Sequence, residues 1–265
     1  LIPPAGHSNS DCKRAQPQCP AAVVVGNRQP PPPELRPTKP GHRRHYTPPQ
    51  AACRALAAVI QSGKVKRSET AIAVLVLLSF LAGAALYPRL PVQMASHWNA
   101  QGQVDDYLPR FWGVFLLPLM LTALWLLFVA IPRIDPLREN IAAFRRHYDR
   151  LVLVITLFML AVYAHTLLWS LGIQLGTNYL MCALTGLLLF FVGVTLQHAK
   201  RNWFVGIRTP WTLSSDIVWQ KTHRLGARLF KLTGLLALLG LLLPAFAIYL
   251  VLVPVVTASI VIVVY

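Results

Sequence analysis

The sequence predicts an all-α, polytopic membrane protein with six transmembrane helices. Of its 265 residues 55 % are hydrophobic and only 13 % are charged, a balance outside the usual range of soluble domains. The apolar residues also gather in long runs, each close to the ~20 residues that a helix needs to cross roughly 30 Å of hydrocarbon. The placement of Lys and Arg then orients the bundle.

The expected spans are 70–86, 111–131, 151–172, 179–199, 225–243 and 245–265. The first is short, and the fifth opens with Arg228 and Lys231, whose long side chains can snorkel to the headgroups. Pro244 separates the last two runs and predicts a tight helical hairpin; Pro254 is expected to bend the sixth helix. Gly186, Gly193, Gly234 and Gly240 read as positions of close helix packing. No span carries Asp, Glu, Lys or Arg near its middle, which argues against ion coupling. His165, flanked by Tyr163 and Thr166, reads either as a neutral histidine bonding helices together or as a proton-relay or ligand group. Cys182 reads as a buried structural thiol, and the cysteines offer neither a disulfide framework nor a metal-spaced cluster.

Three cations (Lys64, Lys66, Arg67) precede the first span, five lie in the second loop and seven between Lys200 and Lys231; the first loop has two and the third none. The positive-inside rule therefore places the N-terminus, the second and fourth loops and the C-terminus in the cytoplasm. The basic pI of about 10.4 then needs no nucleic-acid partner, because topology and attraction to anionic membrane lipid account for it.

Residues 1–64 differ in kind from the rest. They hold the run Pro30 to Pro33, three of the four cysteines (Cys12, Cys19, Cys53) and nine Lys or Arg against two acids, without hydrophobic periodicity. Such composition cannot bury enough apolar surface to offset ordering entropy, so a disordered tail is expected there and a membrane domain over 65–265. Cys53 to Ile60 is long enough for one or two helical turns only. The chain begins at Leu1, and the segment KVKRSET resembles a bacterial start with Val65 in place of the initiator Met. No small-residue cleavage site follows the first span, which argues against a secretory signal peptide.

The first loop, 87–110, is the one substantial segment expected outside. His97, Trp98, Asn99, Gly102, Asp105, Asp106 and Tyr107 combine an aromatic pair, a glycine turn and two adjacent carboxylates. Three readings are open: a metal site of His97 with Asp105 or Asp106, a ligand-capturing loop whose acidic pair faces a cationic partner, or a turn that only joins two helices. One histidine with adjacent carboxylates is a weak metal signal, and no metal or cofactor is assigned.

The fourth loop, 201–226, mixes Trp203, Trp211 and Trp219 with Arg201, Arg208, Lys221 and Arg224, and Gly206 and Pro210 shape its turns. Ser214 or Ser215 is a fitting N-cap with Asp216 in the first turn, so a helix is expected from Asp216 to about Lys231, leading into the fifth span as an interfacial amphipathic helix. Upstream, Asn202, Trp203, Gly206, Arg208, Thr209, Pro210 and Trp211 form a compact knot, which Arg208 is expected to lock by stacking on an indole or pairing with Asp216. The knot reads either as a structural lock on the helix ends or as a docking surface for a cytoplasmic partner, together with Trp219, Thr222 and His223.

The outer pattern LP-x5-HWN-x2-G-x3-DY, from Leu90 to Tyr107, and the inner NWF-x-GIRTPWTL-x-S…VW-x-KTHR, from Asn202 to Arg224, together resemble the SdpI family. The resemblance runs from about Val65 to the C-terminus, and Val205 departs from it as an extra residue before the glycine. It implies a non-enzymatic immunity or sensor protein in the cell membrane, one that protects against a secreted, membrane-acting toxin peptide. It also implies a small winged-helix autorepressor held at the inner loop, while the outer loop meets the toxin. Two other classes stay open on the residues alone. One is a passive or peptide transporter. The other is a membrane enzyme built on His97 with Asp106 or His223 with Asp216, neither pair having the spacing of a known catalytic constellation.

Overall fold

The computed structural model describes residues 49–265, with side chains from Ser68 onward. Residues 1–48 lie outside the described residues, and with them most of the stretch expected to be disordered. Helix α1 covers Pro49–Leu86, so residues 49–64 are helical where composition predicted disorder. The alanine-rich run AACRALAA has high intrinsic helix propensity, and joined to a span it continues that helix.

A 3-10 turn at Tyr87–Arg89 leads into two antiparallel strands, β1 (Gln93–Trp98) and β2 (Val104–Pro109). This hairpin corrects the all-α expectation. Its period-two pattern is broken by irregularities on either side of His97, so the alternation that marks a strand is hard to see in the sequence. Helix α2 (Arg110–Ile134) follows, then a short α3 (Arg138–Ala143), α4 (Arg145–Ser170) and α5 (Thr177–His198). The fourth loop contains α6 (Pro210–Ser214) and feeds α7 (Asp216–Leu239). A 3-10 turn at Pro244–Phe246 turns the chain into α8 (Ala247–Val264). The expected hairpin at Pro244 is present, and α8 continues through Pro254.

Among the described residues five helices are long and apolar enough to cross a membrane: Ser68–Arg89, Arg110–Ile134, Arg145–Ser170, Thr177–His198 and Pro244–Val264. The expected fifth span, 225–243, is not one of them. It belongs to α7, whose first two thirds carry Lys221, Arg224, Arg228 and Lys231, and their desolvation would offset much of the gain from its leucines.

Glycines join α7 to α5. A Cβ at Gly234 would come within 2.6 Å of the Gly186 carbonyl oxygen and 2.7 Å of the Phe190 nitrogen, and one at Gly193 within 2.8 Å of the Ala227 oxygen. Backbone rests on backbone at this seam, which is the close approach that small residues permit. Two apolar clusters fill the rest of the bundle. Ile72, Leu121, Ile141, Phe144, Tyr148 and Trp219 belong to the one at the α2–α3 end; Leu90, Met94, Val114, Tyr163 and Leu167 form the one beneath the hairpin.

Candidate functional site

The two candidate regions sit at opposite ends of α2. The β-hairpin enters its first residue and the α2–α3 turn leaves its last; 25 helical residues at 1.5 Å each separate them by roughly 37 Å.

In the hairpin, Asn99 builds the turn. Its Oδ1 accepts from the backbone N–H of Gln101 and of Gln103, each at 3.0 Å, an Asx arrangement that mimics a backbone turn, while Gly102 supplies φ +78. Asn178 on α5 donates to the Ala100 carbonyl at 3.2 Å, tying the turn to the start of that helix. Met94 is fully buried, and Trp98 points down, 5.0 Å from the His165 ring and 5.7 Å from Trp169. The other face is polar: His97 Nδ1 lies 2.6 Å from Asp105 Oδ1, both side chains exposed. Asp106 accepts its own neighbour's N–H, from Tyr107 at 2.7 Å. The outer residues are thus divided, with Trp98 holding the hairpin to α4 and His97, Asp105, Asp106 and Tyr107 presented outward. His165 is buried, its Nε2 3.1 Å from the Thr177 hydroxyl. Among the described residues no group of three or more His, Cys, Asp or Glu is placed to hold a metal ion.

The inner knot is built on one asparagine. Asn202 has no exposed surface; its Oδ1 accepts from the N–H of Phe204 at 2.9 Å and of Val205 at 2.6 Å, and its Nδ2 donates to the carbonyls of Lys200 and Val205, both at 2.8 Å. A buried amide with all these bonds made is stabilising, whereas losing any one leaves a polar group without a partner. The turn is then fixed to α7. His223 Nε2 accepts from Ile207 N at 3.0 Å, its Nδ1 faces the Trp219 carbonyl at 2.9 Å, and the two rings stack at 3.9 Å. Burial pushes the His223 pKa down to about 4, against a smaller opposing effect of that carbonyl. The neutral ring is the form this geometry needs, because the lone pair on Nε2 must receive the Ile207 N–H.

Trp219 is 1 % exposed and donates from Nε1 to the Ala199 carbonyl at 3.0 Å. Trp203 and Trp211, in contrast, are 52 % and 48 % exposed. Thr209 caps α6 in a reciprocal capping box with Thr212, and Pro210 opens that helix. Thr222 is buried on α7. Arg208 is not stacked on an indole or paired with Asp216; it donates to the Trp203 carbonyl at 2.5 Å. Asp216 instead pairs with Arg201 at 2.9 Å, which sits nearer the start of α7. Ser215 is the N-cap, accepting from Val218 N.

Sequence reasoning missed Asp135. It is 2 % exposed, and its two oxygens accept from Leu137 N at 2.6 Å and from Trp203 N at 2.9 Å, so the second loop holds the fourth. Asn140 adds a bond to the Arg201 carbonyl at 2.7 Å. The only signal was the Asp-Pro dipeptide at 135–136, a turn former that does not reveal a partner 68 residues away.

Residues 198–265, from the end of α5 through the knot to α8, match the SdpI/YfhL protein family. Over 161 residues, 61 % of this chain and 75 % of the relative, the sequence is 26 % identical to the Immunity protein SdpI of Bacillus subtilis (strain 168). Both matches support the SdpI family. Residues 74–122, which include the hairpin, match a domain of unknown function, DUF1648. No solved structure matches. With five apolar helices of spanning length among the described residues, the chain is a multi-pass membrane protein.

Proposed function

We infer that the chain is a non-enzymatic membrane protein of immunity type, whose outer hairpin meets a membrane-acting peptide and whose inner knot docks a cytoplasmic protein. One observation carries the docking half: Trp203 and Trp211 are about half exposed on a turn whose backbone is held by Asn202, Asp135 and His223. Exposed indoles on a rigid scaffold are the groups that dominate protein interfaces. The relationship to an immunity protein supports the protective half, and the outward face of His97, Asp105 and Asp106 suits a cationic peptide.

In this reading α7 completes a sixth crossing, N-in and C-in. Its 24 residues span about 36 Å, and its charges lie in the two thirds nearer the knot, from which long side chains snorkel toward headgroups. Expression in a host sensitive to a membrane-acting peptide toxin tests the protective role, with survival expected to rise. Unchanged survival with the protein present in the membrane sinks it. The docking half is tested by recruitment of a small winged-helix repressor to membranes, expected with the intact chain and absent with Trp203→Ala/Trp211→Ala.

A further inference from the structure

Beside the knot, a recess of about 680 Å³ opens between the start of α4, the end of α5 and the first half of α7. Its walls include Lys200, Arg224, Arg228 and Lys231, with the imidazoles of His147 and His198 stacked at 3.7 Å, and no carboxylate. Elsewhere at this end of the bundle three cations are paired with carboxylates: Arg133 and Arg145 with Glu69, Arg145 also with Asp149, and Arg201 with Asp216. None of the four cations in the recess has an ion pair among the described residues.

Arg224, Arg228 and Lys231 follow one another at spacings of four and three residues, which stacks like charges on one face of α7. Topology alone accounts for cations near a membrane surface, but it does not account for their convergence on a recess between three helices. Gln197 steadies Lys231 by accepting from its Nζ at 2.8 Å. His198 Nδ1 is engaged with the Val194 carbonyl at 2.9 Å, which holds this ring against that of His147. Basic recesses between membrane helices are suited to phosphate-bearing headgroups, and Arg forks bind phosphate oxygens two at a time.

We propose that this recess binds a phosphate group, carried by an anionic phospholipid or as free phosphate, with Arg224, Arg228 and Lys231 as its ligands. The proposal stands apart from the immunity reading, since it needs no toxin and no protein partner.

The test is native mass spectrometry of the full chain in neutral detergent, titrated with phosphatidylglycerol or phosphatidylcholine. Phosphatidylglycerol is expected to be retained preferentially. Arg224→Gln/Arg228→Gln should lower its retention by roughly 25-fold, about fivefold for each cation removed. Lys221→Gln, on the same helix but outside the recess, should leave it within about twofold of the parent, well short of the effect of one cation. Arg224→Lys/Arg228→Lys keeps the charge and controls for folding. Millimolar inorganic phosphate that binds and displaces the lipid assigns the site to free phosphate; lipid retained against it assigns the site to the headgroup. Equal retention of the two lipids with no bound phosphate overturns the proposal, as does a loss with Lys221→Gln as large as that of the double variant.

Discussion

His223, on α7, receives the backbone N–H of Ile207 at 3.0 Å, and that single bond couples the turn of the inner loop to a helix of the bundle. It exists only while the imidazole is neutral. The folded pKa is about 4 against an ordinary 6.5, so between those values the unfolded chain binds the proton and the folded one does not. Stability from this residue is therefore complete above about pH 6.5, declines on acidification and is gone near pH 4. Thermal unfolding of the parent and of His223→Gln should give a gap that is flat above about pH 6.5 and narrows by up to roughly 3 kcal/mol as the pH falls to 4. Curves that stay parallel would remove the titration from the account.

Gly206 has φ +129, and a Cβ there would run into His223 Nε2 and stand 3.1 Å from the Trp219 ring. Gly206→Ala is expected to cost about 2 kcal/mol or more from backbone strain together with the clash. Gly172→Ala, at φ +88 with nothing within 4 Å, should cost about 1 kcal/mol, from the backbone alone. Limited proteolysis of the 201–226 loop reads the difference: rapid cleavage is expected in the first variant and not in the second.

The three indoles of the loop should separate cleanly. Trp219→Ala empties a fully buried site and removes the bond to Ala199, at a cost of about 3–5 kcal/mol. Trp203→Ala and Trp211→Ala should each change stability by less than about 0.5 kcal/mol, as surface substitutions do, while abolishing recruitment of a cytoplasmic partner. A large loss of stability from either exposed indole would make the knot a structural lock alone.

Gly234→Val pushes side-chain atoms into the Gly186 carbonyl and the Phe190 backbone. Overpacking of that kind costs about 1–3 kcal/mol, and the folded fraction in mixed micelles should fall accordingly. A neutral result would mean that α5 and α7 separate without penalty.

Whether α7 crosses the membrane is open to direct labelling. In a chain whose four native cysteines are replaced, Leu242→Cys, 77 % exposed beyond the end of α7, should react with an impermeant maleimide from the same side as Gln101→Cys. Ser214→Cys should react only after permeabilisation. Labelling of positions 242 and 214 from one side would leave α7 uncrossed.

The parts of this fold legible in the sequence are those set by one-dimensional rules. The apolar runs marked the helices of the bundle, the Ser215–Asp216 signal marked the start of α7, and small residues at 186 and 234 marked its seam with α5. The irregular register around His97 hid the hairpin. Hydropathy alone leaves α7 undecided as a span, because its leucines at 225, 229 and 232 are interleaved with the cations Arg228 and Lys231. At the sites, the outer and inner residues were legible as two groups but not in their roles. Asp105 rather than Asp106 reaches His97, and Arg201 rather than Arg208 takes Asp216. Partner choice between charges depends on helix rotation and loop path, neither of which spacing encodes. Asp135 was invisible for the same reason.

The inner turn is bolted to the end of α2 through Asp135 and Trp203 and to α7 through Ile207 and His223, while α7 is itself tied to the end of α5 through Trp219 and Ala199. A turn held in this way cannot follow one support without loosening another. Any event that rotates α2, α5 or α7 against its neighbours must therefore break at least one of these bonds, at a net cost of about 0.5–1.5 kcal/mol. The loop is in this sense a gauge of helix alignment, and its two outward indoles are the face on which the reading is displayed.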